Sequence, residues 1–185
     1  MQPLLRPGDP PPFSVFNEQG KAPLLLLCDH ASKAVPQALG DLGIPASELA
    51  RHIGWDIGGL DAAIELAKAL DAPLVSSGYS RLVIDCNRKP DAPDLAPAVS
   101  DGTTIPANVG LTDADRAARL AEIHAPYQTT IAGLIADVVG LVGAIVVAVI
   151  GLLWAASVMT EVLMFAFSNR FYKAFGSVRL IMLGT

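Results

Sequence analysis

Ala22-Pro-Leu-Leu-Leu-Leu-Cys28 is a continuous apolar run, closed by Asp29-His30. Such a run without polar alternation is expected of a β-strand buried on both faces, the pattern of sheets covered by helices. Upstream, Phe13 to Phe16 reads as a short strand. Asn17-Glu-Gln-Gly20 reads as a turn, with Gly20 free to take positive φ. Downstream, Leu60, Ile64, Ala67 and Leu70 repeat at helical spacing within 58–70. Leu74-Val75 and Leu82-Val83-Ile84 read as two more strands. Residues 91–110, rich in proline and glycine, read as a loop. Thr112, three residues before Asp115, reads as the N-cap of a helix running to about His124, which Pro126 kinks or ends. The expectation is an α/β fold: a mixed sheet with flanking helices.

The composition divides the 185 residues unevenly. All 14 prolines and all three histidines (His30, His52 and His124) lie at or before Pro126. Residues 1–129 carry a net charge of −6, whereas 130–185 carry +1. From Val138 to Thr160 there are 23 residues without a charge. As a helix they would span roughly 35 Å, more than the ~30 Å hydrocarbon core of a bilayer. Two domains are expected, 1–129 and 130–185, the second an apolar, membrane-spanning helical segment. The mean hydropathy is +0.46 and the net charge −5, with no basic run, which argues against a nucleic-acid partner. Two cysteines, Cys28 and Cys86, exclude a disulfide scaffold and fit a reducing compartment; both are read as small core residues. The proline-broken start, Met1-Gln-Pro-Leu-Leu-Arg-Pro7, is not expected to be a signal peptide.

Several polar residues follow predicted strands, where open α/β sheets bind ligands. His30, directly after the apolar run, suits a metal ligand or a base; it would otherwise cap a helix or face water. Asp56, between Trp55 and Ile57, implies a metal or an arginine if it packs inward, and an N-cap for the following helix if it does not. Arg81, Asn87 and Arg88 flank Leu82-Val83-Ile84. They suit an anionic substrate gripped by guanidinium forks, or surface ion pairs with Asp85, Asp91 or Asp94.

Four blocks in order resemble the N-formylglutamate amidohydrolase family: Cys28-Asp-His-Ala-Ser32, His52-Ile-Gly-Trp-Asp-Ile-Gly58, Gly78-Tyr-Ser-Arg-Leu-Val-Ile-Asp-Cys-Asn-Arg88, and Ser100-Asp-Gly-Thr103 continued by Ala125-Pro-Tyr127. The resemblance covers about residues 12–129. It implies a fold like that of the zinc carboxypeptidases, and a metal hydrolase that removes a formyl or acyl group from an amino-acid nitrogen. His30 and Asp56 match metal-ligand positions. Arg81, Asn87 and Arg88 would bind the carboxylates of an N-formyl or N-acyl amino acid. The implied cofactor is zinc or another divalent metal, whose bound water reaches a pKa of ~7. The implied location of this part is cytoplasmic.

Two departures follow from the same resemblance. Lys33 stands where the family often has asparagine. The family's second half is expected to supply a third metal ligand and a catalytic glutamate, yet no histidine follows His124, and Glu161 is the only carboxylate after Asp137. No catalytic residue can be assigned, so the expectation is a truncated, weakly active or inactive hydrolase joined near residue 130 to an unrelated segment. Glu122 and Asp115 are read as solvated helix residues. Residues 151–168 resemble a membrane helix of the major facilitator superfamily, and Arg170, Lys173 and Arg179 its following basic loop, over about 143–185. The alternative is therefore a membrane-anchored, non-enzymatic fusion that carries a transporter fragment, with a membrane partner through residues 138–167.

Overall fold

The computed structural model describes residues 3–181 and, beyond Thr160, only one side chain, that of Leu163. By contacts the chain divides into two units, Met1–Val139 and Gly140–Thr185.

The first unit is a mixed α/β structure. Its central sheet has three strands, β1 (Phe13–Phe16), β2 (Leu26–Cys28) and β3 (Leu74–Ser77), in the order β1-β3-β2. β3 is buried along its whole length. β1 runs antiparallel to it, with Val15 opposite Val75, and β2 runs parallel, with Leu27 opposite Val75. A parallel pair needs a crossover, and residues 29–73 supply one. They contain a one-turn helix, α1 (Ala46–Leu49), and the amphipathic α2 (Gly59–Leu70), which packs on β2 and β3. α2 begins after Gly58 (φ 77°), a left-handed conformation that a side chain would resist. The apolar run from Ala22 pairs only over Leu26–Cys28, so its strand is shorter than expected and lies at the sheet edge.

Three other expectations are corrected. In the first turn the positive φ falls on Asn17 (φ 51°), not Gly20. Gly20 is needed for space, because a Cβ there would lie 2.6 Å from the Asp71 carbonyl oxygen. Leu82-Val83-Ile84 is buried but is not a strand. The N–H groups of Val83 and Ile84 donate to the Ser80 carbonyl, and that of Leu82 to Ser80 Oγ, so the chain turns there. The Leu82 and Val83 carbonyls accept instead from Asn108 Nδ2 and Arg119, both at 2.8 Å. Third, the 91–110 loop contains a small hairpin, β4 (Val99–Ser100) and β5 (Thr103–Thr104), turned at Asp101-Gly102 with positive φ at both residues, a two-residue hairpin geometry.

α3 (Asp113–Arg119) starts as expected: Thr112 Oγ1 accepts the Asp115 N–H at 3.2 Å. Pro126 neither ends nor interrupts the helix. A widened turn, Leu120–His124, precedes α4 (Ala125–Ile181) and leaves Pro126 in its first turn, where the missing N–H costs little. Glu122 is not simply solvated, since its carboxylate accepts the N–H groups of Leu4 and Leu5, both at 2.9 Å. The core of this unit gathers Leu42, Ile53, Val75, Leu82, Ile84, Leu95, Ile105, Ile123 and Tyr127.

In the second unit α4 is a single helix through residues 170–181, where a basic loop and the start of a new helix were expected. From Val139 to Thr160 every described residue is exposed. Between Val139 and Thr160 the helix has no polar face, and the described helix is long and apolar enough to cross a membrane.

Candidate metal and substrate site

Three of the motifs seen in the sequence are laced together by their backbones. The Asp56 N–H donates to the His30 carbonyl at 2.9 Å, which ties the 52–58 loop to the end of β2. The Ser80 N–H donates to the Ala34 carbonyl at 2.8 Å. Gly54 receives both Ser80 Oγ (2.8 Å) and the Arg81 N–H (3.2 Å) on its carbonyl oxygen. A Cβ at Gly54 would sit 2.2 Å from the Leu49 carbonyl oxygen, so only glycine permits this clamp. Residues far apart in sequence thus meet beyond the carboxyl end of β2.

Four side chains converge there. Nε2 of His30 lies 2.8 Å from Oδ1 of Asp85, and its Nδ1 lies 3.4 Å from Oδ2 of Asp56. Arg81 approaches both acids, at 3.2 Å from Asp85 Oδ2 and 3.7 Å from Asp56 Oδ1. His30 and Asp85 are buried, whereas Asp56 is open to solvent. Burial opposes charge on His30, but the bond from Asp85 and its negative charge outweigh that and raise the imidazole above its ordinary value. Burial likewise pushes Asp85 up, and the His30 bond and charge, the Asn87 N–H (2.9 Å) and Arg81 bring it below the usual carboxylate range.

Asn87 meets this cluster through its N–H on Asp85 Oδ1, and Arg88 follows it in sequence. They line a cavity of about 630 Å³ together with Leu27, Asp29, Lys89, His124 and Gln128, among others. Arg88 Nε is engaged by Asp94 Oδ2 at 2.8 Å, one of the surface pairs weighed from the sequence. Inside the cavity, Asp29 accepts the Tyr127 hydroxyl at 2.7 Å, and His124 Nε2 lies 2.9 Å from the Arg88 carbonyl oxygen. The expected site is therefore two adjoining parts joined through Asp85 and Asn87, with Arg81 beside His30 and Asp56 rather than beside Arg88. Lys33, the departure noted in the first motif, stacks its ammonium 5.5 Å from the centre of the Trp55 ring at this same edge.

His30 and Asp56 fit a metal as a pair. An ion ~2 Å from each donor could sit between His30 Nδ1 and Asp56, while Asp85 fixes the imidazole tautomer through Nε2–H, the usual carboxylate–histidine support. They do not complete a catalytic zinc site, which takes three protein ligands. Among the described residues no group of three His, Cys, Asp or Glu side chains is arranged to hold an ion.

Asp85 and His124 were not singled out from the sequence as site residues. Asp85 was visible only as a neighbour of Arg81. Its bond to His30 joins positions 55 residues apart, which no local pattern reports.

The family model for N-formylglutamate amidohydrolases matches residues 22–150, which hold all of these side chains. The chain belongs to the N-formylglutamate amidohydrolase family. A crystal structure of a gene product from Agrobacterium tumefaciens is 36% identical to it and superimposes with a TM-score of 0.71, over 72% of this chain and 53% of that one. The chain thus spans about half the length of that relative. None of the curated proteins matches it. The expected likeness of residues 143–185 to a major facilitator helix is not supported, and the amidohydrolase match itself runs on to residue 150. The matching family model is named for an amidohydrolase, a hydrolase of C–N bonds.

Proposed function

We propose that this chain carries part of the site of a metal-dependent hydrolase of N-formyl or N-acyl amino acids, in a fold like that of the zinc carboxypeptidases. The observation that carries this reading is His30, bonded at 2.8 Å to buried Asp85 and facing Asp56 at 3.4 Å. In this reading His30 and Asp56 hold a divalent metal, zinc first. A bound metal would polarise the scissile carbonyl and supply a water of lowered pKa. Arg81 sits where it can neutralise charge beside the donors. Asn87 and Arg88 offer donors to the carboxylates of the substrate, and Lys89 adds positive charge to the same cavity. Arg88 would have to exchange Asp94 for that carboxylate, a swap between exposed partners that costs little.

The donor count limits what the chain does alone. With two metal donors and no assigned general base, a factor of ~10²–10⁴ in rate from acid–base help is absent. Turnover far below 1 s⁻¹ is expected. The test is calorimetric titration with zinc, followed by N-formylglutamate hydrolysis by the loaded protein. Metal binding that is lost in both His30→Ala and Asp56→Ala supports the reading. Unchanged binding in the two variants overturns it.

We also propose that residues 138–160 cross a bilayer, which makes the hydrolase part membrane-associated. Support comes from 23 uncharged residues in a helix exposed on all sides from Val139 onward. Water would leave that surface unpaid by any burial, whereas lipid tails cover it without a partner protein.

A further inference from the structure

Asp29 and His30 are neighbours in sequence but serve different parts of the site. His30 turns to Asp85 and Asp56, whereas Asp29 lines the cavity with Asn87, Arg88 and Lys89. Asp29 is half-buried, and its Oδ1 accepts the Tyr127 hydroxyl at 2.7 Å. Burial, and then the bond to Asp29, hold that hydroxyl well above its ordinary range, so Tyr127 stays a neutral donor. Among the described residues Asp29 has no cationic partner. Arg88 is engaged by Asp94, and Arg81 by Asp85 and Asp56. A partly buried carboxylate with one neutral donor is under-satisfied, and a cation brought to it is favoured.

The cavity therefore has two poles. Asp29 supplies negative charge and Arg88 and Lys89 positive charge, with no ion pair between them. Opposite charges held apart in one cavity of about 630 Å³ match a ligand that carries both signs. The hydrolysis proposed above makes such a ligand. Its N-acyl substrate has carboxylates and a neutral amide nitrogen. Water adds to the acyl carbon, the C–N bond breaks, and the nitrogen leaves as an amine. The acid product gives up its proton and the amine takes one, so the products are a carboxylate and an ammonium, the charge an amine carries near neutral pH. In that reading the scissile carbonyl lies beside His30, the residue next to Asp29, so the nitrogen is set free within the same site.

We infer that Asp29 is the acceptor for the α-ammonium of a free amino acid, and that the cavity binds the amino-acid product more tightly than its N-acyl precursor. The carboxylates take the basic pole in both ligands. Only the product offers Asp29 a charge-assisted bond, roughly twice as strong as one from a neutral amide N–H. Asp29 is in this sense a specificity residue, and the released amino acid is an inhibitor of the chain that releases it. The inference rests on the substrate cavity proposed above, but not on metal binding.

The experiment titrates the full chain, in mild detergent with EDTA, against three probes in a calorimeter: L-glutamate, N-formyl-L-glutamate and glutarate, which has the same two carboxylates and no nitrogen. L-Glutamate should bind about 10-fold tighter than either of the others. Asp29→Asn keeps an oxygen for Tyr127 and removes the charge. It should weaken L-glutamate about 10-fold and leave the two ligands without an ammonium no weaker, because a repulsion is relieved. The comparison of L-glutamate with glutarate needs no variant and decides the matter by itself. Zinc is absent throughout, so a failure of the His30–Asp56 metal reading leaves this result standing. Glutarate that binds as tightly as L-glutamate overturns the inference. So does an absence of L-glutamate binding at 10 mM, or an Asp29→Asn protein that loses all three probes alike.

Discussion

Nε2 of His30 and Oδ1 of Asp85 stand 2.8 Å apart, both buried, across 55 residues of sequence. The bond shifts the two groups in opposite directions, His30 upward and Asp85 downward. A histidine raised on folding stabilises fully below its unfolded value of ~6.5 and loses that contribution as pH rises through its folded value. An aspartate lowered on folding stabilises above ~3.9 and loses it as pH falls through its folded value. The metal-free pair should therefore support the fold most between about pH 4 and 6.5. In Asp85→Asn the charge and its attraction go while burial remains. The His30 imidazole should then titrate below its wild-type value in an NMR titration of the metal-free protein, and stability should fall off less as pH leaves that window on either side. An unchanged His30 titration would show that Asp85 does not hold it.

Among the described residues, Arg119 is buried without a carboxylate partner. Its guanidinium donates to the Val83 carbonyl (2.8 Å) and Asn108 Oδ1 (2.7 Å), and Asn108 in turn holds the Leu82 and Pro97 carbonyls. This group replaces the strand bonds that residues 82–84 lack. Arg119→Met keeps volume but strands those acceptors, at about 1–3 kcal/mol for each one left unsatisfied. Urea unfolding followed by Trp55 fluorescence, with Trp154→Phe as background, should show a loss of roughly 2–4 kcal/mol. A change under 0.5 kcal/mol would mean the turn holds itself.

Burial pushes the Cys86 thiol up to about 12, against weaker help from the Ser77 hydroxyl. Cys28 is only partly covered and is raised as well, by burial and then by Asp56 and Asp29. The thiolate is the reactive form. At pH 8 iodoacetamide should label Cys28 slowly and leave Cys86 untouched until the protein unfolds, when both react alike. Mass spectrometry of the labelled peptides reads the order directly, and equal labelling in the folded state would contradict this packing.

What the sequence made legible was local. The short strand at Phe13–Phe16, the helical spacing of Leu60, Ile64, Ala67 and Leu70, and the Thr112 cap each follow from short-range sterics or a single side-chain bond, and each is present. Leu82-Val83-Ile84 has strand composition but turns, because Ser80 competes for its N–H groups and Arg119 and Asn108 take its carbonyls from 36 and 26 residues away. The Asp101-Gly102 hairpin was readable from its dipeptide and was missed inside a proline-rich loop. In the site, strand-end position marked His30, and the apolar neighbours Trp55 and Ile57 marked Asp56; the two lie 3.4 Å apart. The role of Asp85 was hidden, since a carboxylate four residues after an arginine reads equally well as a surface pair. Arg88 shows the converse: an expected ligand-gripping guanidinium is held by Asp94.

The apolar stretch of α4 yields the last prediction. Val139 to Thr160 is exposed all round, and Val147 is 71% exposed near its middle. An all-apolar helix has no face to turn toward water, so amphipathic surface binding does not suit it. Spanning does, because a helix satisfies its own backbone in lipid and 23 residues match the hydrocarbon thickness. The protein should sediment with membranes and resist alkaline carbonate extraction. Val147→Arg would place a charge near mid-bilayer at a cost of about 2.5–3.5 kcal/mol, which should shift a large fraction of the chain out of the inserted state in a glycosylation-mapped insertion assay. Leu66→Arg, at a 48% exposed position of α2, serves as the control and should leave insertion unchanged. If the wild-type chain is monomeric in buffer without detergent, or if Val147→Arg inserts as well as wild type, the helix does not span.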